Sequence, residues 1–188
     1  CIRDSGYLYA VDIQTGQEKW KFKTDGFMFS SPALSGGVVY FRSGDGYLYA
    51  VDIQTGQDKW KFKTDDLKMY DFYETDDHEF SSPAISSGVV YFGSLDGYLY
   101  AIDIQTGQEK WKFKTDDAVV SSPALSGNVV YFGSMDGYLY AVDIQTGQER
   151  WKFETDGIFP GVFSSPAISG GVVYFGSEEG FHAVDVQT

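Results

Sequence analysis

Hydrophobic and polar positions alternate along most of the chain, and the alternation returns in recurring blocks. The first block, residues 6–22, contains an aromatic and branched run, a Gln-Thr-Gly sequence and a Lys-Trp-Lys-Phe run. Aromatic and β-branched residues favour strands, and glycine suits a tight turn because it reaches positive φ without strain. Lysines that alternate with aromatic residues are typical of a strand with one face in water. The block therefore predicts two strands joined by a turn.

A second block separates the copies of the first. The first block returns at Gly46, Gly97 and Gly137, and in shortened form at Gly180. The second block runs from Ser-Ser-Pro-Ala into Val-Val-Tyr-Phe, and its copies begin at Ser30, Ser81, Ser121 and Ser164. Each unit thus holds four predicted strands: A (Ser-Ser-Pro-Ala), B (Val-Val-Tyr-Phe), C (Tyr-Leu-Tyr-Ala-Val-Asp) and D (Lys-Trp-Lys-Phe). No segment shows helical spacing.

Four short strands in a repeat of about 40–50 residues are the signature of a β-propeller blade. Small residues and a proline suit strand A as the innermost strand, which is a sheet edge. Strands B and C are apolar on both sides, as stacked blades require, and the lysines of strand D are expected to reach water. We therefore predict an all-β fold, a β-propeller of four-stranded antiparallel blades with four blade equivalents.

The chain is expected to form a single propeller domain over residues 1–188. Three blade units cover approximately residues 29–64, 80–115 and 120–155, and the fourth combines residues 1–24 with residues 163–188. Because the chain opens at strands C and D and closes with A, B and C, the N- and C-terminal strands are expected to share the terminal blade. Strand type C occurs five times, so the four units can also be half of a ring completed by a second chain, or part of a longer protein.

Charge and cysteine content limit the partners. The net charge is −13, which argues against nucleic acid and anionic membrane, because both attract cationic surfaces. No apolar run is long enough for a transmembrane segment. The single cysteine, Cys1, excludes internal disulfides and cysteine zinc clusters. It is a candidate lipid anchor, because mature bacterial lipoproteins begin with a lipidated cysteine; the alternative is a chain boundary or the stub of a strand.

A spaced set of residues accompanies each turn between strands C and D. In the first copy it consists of Ala10, Asp12, Thr15, Gly16 and Trp20. This set resembles the tryptophan-docking motif of the pyrroloquinoline-quinone-type (PQQ-like) propeller repeats. The resemblance implies that each tryptophan packs flat on the neighbouring blade and joins the two blades, a structural role. The residues to which it assigns this role are Trp20, Trp60, Trp111, Trp151, Ala10, Ala50, Ala101, Ala141, Gly16, Gly56, Gly107 and Gly147.

One connection from strand D to the next strand A stands out by its length. These connections are expected on the same side of the disc as the B-to-C turns, and the one at residues 65–80 is about ten residues longer than its counterparts, as functional loops on repeat scaffolds often are. The candidate binding residues are Asp66, Tyr70, Asp71, Tyr73, Asp76, Asp77 and His78. A solvated insertion is the alternative. No metal site is predicted, because the acids lack the Asp-x-Asp-x-Asp-Gly order of a calcium loop and one histidine is too few for zinc.

No catalytic motif is present. The sequence contains no glycine-rich phosphate loop, no Gly-x-Ser-x-Gly and no His-Glu-x-x-His. The family that the chain resembles includes quinoprotein dehydrogenases, which need a vicinal cysteine pair, calcium ligands and a base. Cys1 is the only cysteine of this chain. We therefore predict no enzyme activity, no catalytic residue and no cofactor. His182, assigned to a leucine position in a shortened strand, is expected to reflect local repair of the terminal blade.

The interpretation that fits these observations is a non-catalytic binding or scaffold module. Its partner is expected to be another protein or a second copy of the chain. The resemblance implies an extracytoplasmic location, in the periplasm or at the cell surface, because such repeats recur in periplasmic lipoproteins of outer-membrane assembly and in bacterial surface or sensor proteins. Two alternatives remain open: a propeller that binds a small ligand, carbohydrate or cation, and a fragment of a quinoprotein dehydrogenase.

Overall fold

The computed structural model describes residues 6–28, 30–65, 81–156 and 161–186, and all regular structure in these ranges is β-strand. The strands are β1 (Tyr7–Val11), β2 (Glu18–Lys23), β3 (Ala33–Ser35), β4 (Val38–Ser43), β5 (Tyr47–Asp52), β6 (Asp58–Lys63), β7 (Ala84–Ser86), β8 (Val89–Gly93), β9 (Tyr98–Asp103), β10 (Glu109–Lys114), β11 (Ala124–Ser126), β12 (Val129–Gly133), β13 (Tyr138–Asp143), β14 (Glu149–Glu154), β15 (Ala167–Ser169), β16 (Val172–Ser177) and β17 (Gly180–Asp185). Three antiparallel sheets have four strands each, β3 to β6, β7 to β10 and β11 to β14. They confirm the predicted all-β fold of four-stranded blades.

Successive hairpins build each complete blade, so strands adjacent in sequence are adjacent in the sheet. In the first complete blade, Tyr40 of β4 pairs with Ala50 of β5, and Ala50 pairs with Trp60 of β6. The register shifts between Ala50 and Val51, and the equivalent shift occurs in the other pairs of strands C and D. Such bulges bend a strand and increase its twist. In the first complete blade the extra residue is Lys59 of strand D, which lies just after the turn that carries the Asp-x-x-Thr-Gly residues.

The core lies between the blades. Strands β4 and β5 are buried over nearly their whole length, whereas β6 alternates between exposed and half-buried residues. Tyr40 and Leu48 of one blade pack against Phe92 and Tyr100 of the next, and equivalent clusters fill the other junctions. Because both faces of strands B and C meet a neighbouring blade, both faces are apolar, as the sequence predicted.

The innermost strands begin later than the sequence indicated. The first of them, β3, begins at Ala33, so the Ser-Ser-Pro segment precedes the strand. Pro32 has no N–H group and cannot donate to a sheet ladder. The serines bond elsewhere, since the Ser30 hydroxyl accepts the Arg42 N–H at 2.8 Å. The segment thus closes the inner end of the blade through side chains.

The two ends of the chain form separate sheets, which differs from the expected shared terminal blade. Strands β1 and β2 form a two-stranded sheet, and β15, β16 and β17 form a three-stranded sheet. In the latter, β17 already occupies the strand-C position beside β16. Because β1 is also a C strand, this sheet has no position left for it. The expected combination of residues 1–24 with 163–188 in one blade is therefore not formed by the described residues.

The register of β17 also corrects the position assigned to His182. His182 pairs with Phe175 of β16, just as Tyr100 pairs with Phe92 in a complete blade. The His182 ring stacks on Phe175 with centroids 4.9 Å apart, and Tyr100 stacks on Phe92 at 5.4 Å. His182 therefore replaces a tyrosine, and the assignment to a leucine position was wrong because the missing residue lies in the preceding turn.

Candidate functional site

Three tryptophans on outer strands reach the C-to-D turn of the following blade. Their indole N–H groups donate to backbone carbonyls: Trp20 to Ile53 at 2.9 Å, Trp60 to Ile104 at 3.1 Å and Trp111 to Ile144 at 3.0 Å. Within its own blade, Trp60 lies opposite the motif alanine Ala50. Its ring also covers Gly107 of the next blade, where a β-carbon would come 2.7 Å from the indole atom Cδ2. With φ at +69°, that position requires glycine for both conformation and space.

The aspartate of each C-to-D turn holds the turn together. Asp103 Oδ1 accepts the N–H groups of Gln105 and Thr106 at 3.0 Å each, and the Thr106 hydroxyl at 3.1 Å. The Thr106 N–H is the largest of the influences that lower the pKa of Asp103, because donors stabilise the ionised carboxylate. Asp12 and Asp52 make the same bonds, and their pKa values are lowered by the same cause. These carboxylates serve the turn itself.

In each complete blade, a second aspartate ties the B-to-C turn to the D-to-A connection beside it. Asp136 Oδ2 accepts the Tyr140 hydroxyl at 2.8 Å and the Asp116 N–H at 3.0 Å, while Oδ1 accepts the Tyr138 N–H at 3.1 Å. Burial of the phenol, and then its bond to Asp136, raise the pKa of Tyr140, since both disfavour the phenolate. The D-to-A connections and B-to-C turns therefore share one side of the disc, as predicted.

That side, here called the acidic face, carries carboxylates in every blade. Among the described residues its acids are Asp25, Asp45, Asp65, Asp96, Asp116, Asp117, Asp136, Asp156, Glu178 and Glu179. Asp25, Asp116 and Asp156 are exposed, and none of the three forms an ion pair with a described residue. Acids of one sign spread over one side give it a negative potential.

On the opposite side of the disc, formed by the C-to-D turns, three turn carboxylates form ion pairs with cations of strand D. The pairs are Lys19 with Asp12 at 3.4 Å, Lys59 with Asp52 at 3.6 Å and Arg150 with Asp143 at 2.6 Å. Arg150 is the largest cause of the lowered pKa of Asp143, followed by the Thr146 N–H. Among the described residues, these carboxylates of the C-to-D turns are ion-paired, whereas Asp25, Asp116 and Asp156 on the acidic face are not.

Arg42 is a buried residue that the sequence analysis did not single out. It stands where the other blades have Gly93, Gly133 and Gly176, and its side chain is fully buried. The guanidinium donates to the Gly93 carbonyl and lies 5.1 Å from the ring centre of Phe92. Arginine in place of the repeated glycine is the feature of the sequence from which Arg42 could have been identified.

The predicted binding loop lies outside the described residues. This applies to Asp66, Tyr70, Asp71, Tyr73, Asp76, Asp77 and His78. It applies to Cys1 as well. Across the described ranges, no three His, Cys, Asp or Glu side chains are grouped so that they could hold a metal ion. In the same ranges, no helix has the length and hydropathy needed to cross a membrane.

Stacked antiparallel blades, with an indole of one blade on the turn of the next, define a β-propeller of PQQ-like repeats. Residues 2–73 and 71–188 match the family model described as outer membrane protein assembly factor BamB, and the chain belongs to this family. No curated protein sequence matches the chain.

Solved structures share the fold. BamB from Moraxella catarrhalis superimposes with a TM-score of 0.80 at 22% identity, covering 98% of this chain and 53% of that one. The computationally designed protein Ika8 gives 0.75 at 25% identity, with 96% and 53% covered. The designed protein Ika4 gives 0.66 at 24% identity, with 87% and 93% covered. The chain therefore spans about half the length of the Moraxella protein and of Ika8.

Proposed function

We propose that the chain is a non-catalytic scaffold that binds another protein through its acidic face. The observation that carries the proposal is that the polar side chains repeated in every complete blade form hydrogen bonds within that blade. Asp103 and Thr106 bond within their own turn, and Asp136 bonds Tyr140 within its own blade. Groups that recur in every blade thus build a rigid frame, and rigid repeat frames present surfaces for binding.

The difference in ion pairing between the two sides supports the acidic face as the contact surface. Exposed carboxylates such as Asp116 and Asp156 form no ion pair with a described residue there, whereas Asp143 on the opposite side is held by Arg150. A negative surface attracts and orients a basic partner. The sequence of residues 66–80 adds further acids to the connection between β6 and β7, which is why its candidate residues belong to the same proposal.

Family membership supports the location and the class of partner. The family description names an outer membrane protein assembly factor. A protein of that description works outside the cytoplasm and handles other proteins. We therefore propose that this chain works in the periplasm or at the cell surface, with Cys1 as the candidate lipid attachment point. Mass spectrometry of the N-terminal peptide, from protein purified from the membrane fraction, tests whether Cys1 carries a lipid.

Site-directed photocrosslinking tests the contact surface. A photoreactive residue is placed at Asp116 on the acidic face or at Gln105 in the turn between β9 and β10 on the opposite side; both positions are exposed. We expect one defined protein adduct from position 116 and none from position 105. The adduct should weaken when Asp25 and Asp156 are changed to lysine, and remain when the outer-strand acids Glu18 and Asp58 are changed instead.

Two outcomes would contradict the proposal. Equal crosslinking from both sides, or none from position 116, would remove the acidic face as the contact surface. Oxidation of an alcohol or sugar by the chain after addition of pyrroloquinoline quinone and calcium would contradict a non-catalytic role and favour the quinoprotein alternative.

A further inference from the structure

The outer strands carry the exposed cations of the described ranges. Apart from the buried Arg42, every lysine and arginine in these ranges lies on β2, β6, β10 or β14. The lysines of β6 and β10 are exposed, and they alternate with half-buried aromatic residues. The outer rim is therefore where a chain with a net charge of −13 presents positive charge.

In the second complete blade, β7 to β10, two lysines share one tyrosine ring. Lys114 lies directly opposite Tyr98 across the strands, and its Nζ lies 4.5 Å from the Tyr98 ring centre and donates to the Asp96 backbone carbonyl at 3.0 Å. The Nζ of Lys112 lies 4.7 Å from the same ring centre. Lys114 forms no ion pair with a described residue, and Lys112 meets the Glu109 carboxylate at 3.9 Å. We call Tyr98, Lys112 and Lys114 the tyrosine–lysine cluster of this blade.

The first complete blade repeats the cluster. Lys63 lies opposite Tyr47 across the strands, and the Nζ of Lys61 lies 4.7 Å from the Tyr47 ring centre. Neither lysine forms an ion pair with a described residue. Two adjacent blades thus each hold two ammonium groups beside one half-buried tyrosine.

The third complete blade, β11 to β14, has a carboxylate in the equivalent place. Glu154 lies opposite Tyr138, just as Lys114 lies opposite Tyr98. The rest of the cluster is kept, since the Nζ of Lys152 lies 4.1 Å from the Tyr138 ring centre. Burial, and then the Glu154 carboxylate beside the phenol, raise the pKa of Tyr138, because both disfavour the phenolate. This blade therefore shows that the cluster accommodates a carboxylate together with one lysine.

We propose that the tyrosine–lysine clusters of the first two complete blades bind carboxylates of an acidic, extended segment of another protein. In the second blade, a carboxylate of this segment takes the place beside Tyr98 that Glu154 takes beside Tyr138. It accepts the Tyr98 hydroxyl and pairs with the ammonium groups of Lys112 and Lys114. The surface lies on the outer rim and is distinct from the acidic face, so this inference does not depend on the proposed function.

The charges favour a carboxylate segment over other anions. Two ammonium groups beside one ring repel each other, and a carboxylate beside them offsets that repulsion. A polymer with a dense row of phosphates is repelled by a chain with a net charge of −13, whereas a few carboxylates meet mainly the local lysines. Because the cluster recurs on adjacent blades, one segment with several carboxylates can engage both clusters and gain apparent affinity.

Titration of the full, nitrogen-15-labelled chain with capped hexaglutamate tests the proposal. We expect saturable shifts of amide signals on β6 and β10, from which a dissociation constant is fitted for each strand. Lys114→Glu gives the second blade the arrangement of the third, so its own carboxylate fills the place of the ligand. The dissociation constant fitted on β10 should rise at least about tenfold, while that on β6 should change less.

The reciprocal variant is Glu154→Lys, which gives the third blade the two lysines of the others. It should create a new binding site, seen as saturable shifts on β14 that the unchanged chain does not show. Tyr98→Phe keeps the ring and removes the hydroxyl, and it should raise the dissociation constant on β10 about three- to tenfold. Lys110→Glu is the matched control, because Lys110 is exposed on the same strand but acts on Asp103 of the C-to-D turn. It should bind within about twofold of the unchanged chain.

Four outcomes would overturn the proposal. Hexaglutamate that shifts no amide of the outer strands would remove the binding surface. Equal weakening by Lys114→Glu and Lys110→Glu would mean diffuse attraction to the rim instead of a site, and so would a Glu154→Lys variant that gains no site. Inorganic phosphate that binds as tightly as hexaglutamate at the same ionic strength would contradict a carboxylate ligand.

Discussion

The indole ring of Trp111 lies against the α-carbon of Gly147 in the following blade, where an added β-carbon would come 2.8 Å from the ring atom Cδ2. The same indole donates to the Ile144 carbonyl at 3.0 Å. One contact thus combines a large apolar ring, a satisfied donor and a position that needs glycine. Since the core lies between blades, we propose that these contacts hold the blades in register.

Removal of the Trp111 side chain tests this role. We expect Trp111→Ala to lower the free energy of unfolding by about 3–5 kcal/mol, because removal of the ring leaves a cavity and the Ile144 carbonyl loses the indole donor. Trp111→Phe should lose less, since it keeps part of the ring, and Lys110→Ala on the outer surface should stay within about 0.5 kcal/mol of the unchanged protein. Urea unfolding measures all three. An unchanged stability in Trp111→Ala would refute the docking role.

The glycine on the receiving side gives a second test. Gly107 and Gly127 both have positive φ, +69° and +55°, but a β-carbon at Gly107 would come 2.7 Å from the Trp60 ring, while Gly127 has open space. Alanine costs about 1–2 kcal/mol at either position through backbone strain. We expect Gly107→Ala to cost about 1–3 kcal/mol more than Gly127→Ala, the usual penalty of overpacking. Equal melting temperatures would mean that the indole moves aside freely.

Much of the fold follows from local pattern. The alternation in strands C and D and the Asp-x-x-Thr-Gly turns specify hairpins, and the four-strand repeat specifies blades. The apolar character of both faces in β4 and β5 indicates stacking before any neighbour is known. These features are encoded within each repeat, so one sequence suffices to predict them.

Features that depend on register or on distant partners were harder to predict. Strand β3 begins at Ala33, later than predicted, because Pro32 cannot donate to the ladder. The Ser-Ser-Pro residues before it nevertheless fit the pattern of a strand. The position of His182 was missed because a deletion in a turn shifts the register without leaving a mark in the strand. The first hairpin does not pair with the last sheet because β17 already occupies the strand-C position beside β16. The local sequence pattern does not show this.

Part of the candidate site could be predicted and part could not. The acids of the B-to-C turns and D-to-A connections were placed on one side from strand order alone. Which carboxylates form ion pairs was not predicted, because it depends on where the strand-D cations reach. Arg150, for example, lies 2.6 Å from Asp143 on that opposite side.

Arg150→Gln should raise the pKa of the Asp143 carboxyl, because the guanidinium is the largest cause of its lowered pKa. A lowered pKa in the folded state adds stability above the unfolded value of about 3.9, and this stability is lost as the pH falls. The variant should therefore lose less stability on acidification. Carbon-detected NMR titration of Asp143 measures the shift, with Asp103 as the internal control. An Asp143 pKa equal to that of the unchanged protein would show that the turn N–H groups suffice.

Tyr140→Phe should alter stability in alkali. Burial and the bond to Asp136 raise the pKa of Tyr140, so its contribution is complete below the unfolded value of about 10 and is lost as the pH rises above it. At neutral pH the variant should lose about 1–3 kcal/mol, since it leaves Asp136 without one donor. Between about pH 10 and 11 its stability should fall less steeply than that of the unchanged protein. Identical slopes in urea unfolding at these pH values would contradict the assignment.

Arg42→Gly restores the residue that the other blades carry, and we nevertheless expect it to destabilise the protein. Substitutions toward a repeat consensus usually stabilise. Here the Arg42 side chain is buried, donates to the Gly93 carbonyl and lies 5.1 Å from the Phe92 ring centre. Its removal should cost about 2–5 kcal/mol as a large-to-small change in a packed site. Asp58→Glu, a consensus change on the exposed start of β6, should stay within about 0.5 kcal/mol. A gain of stability in Arg42→Gly, measured by thermal and urea unfolding, would show that the blade closes over the space without the arginine.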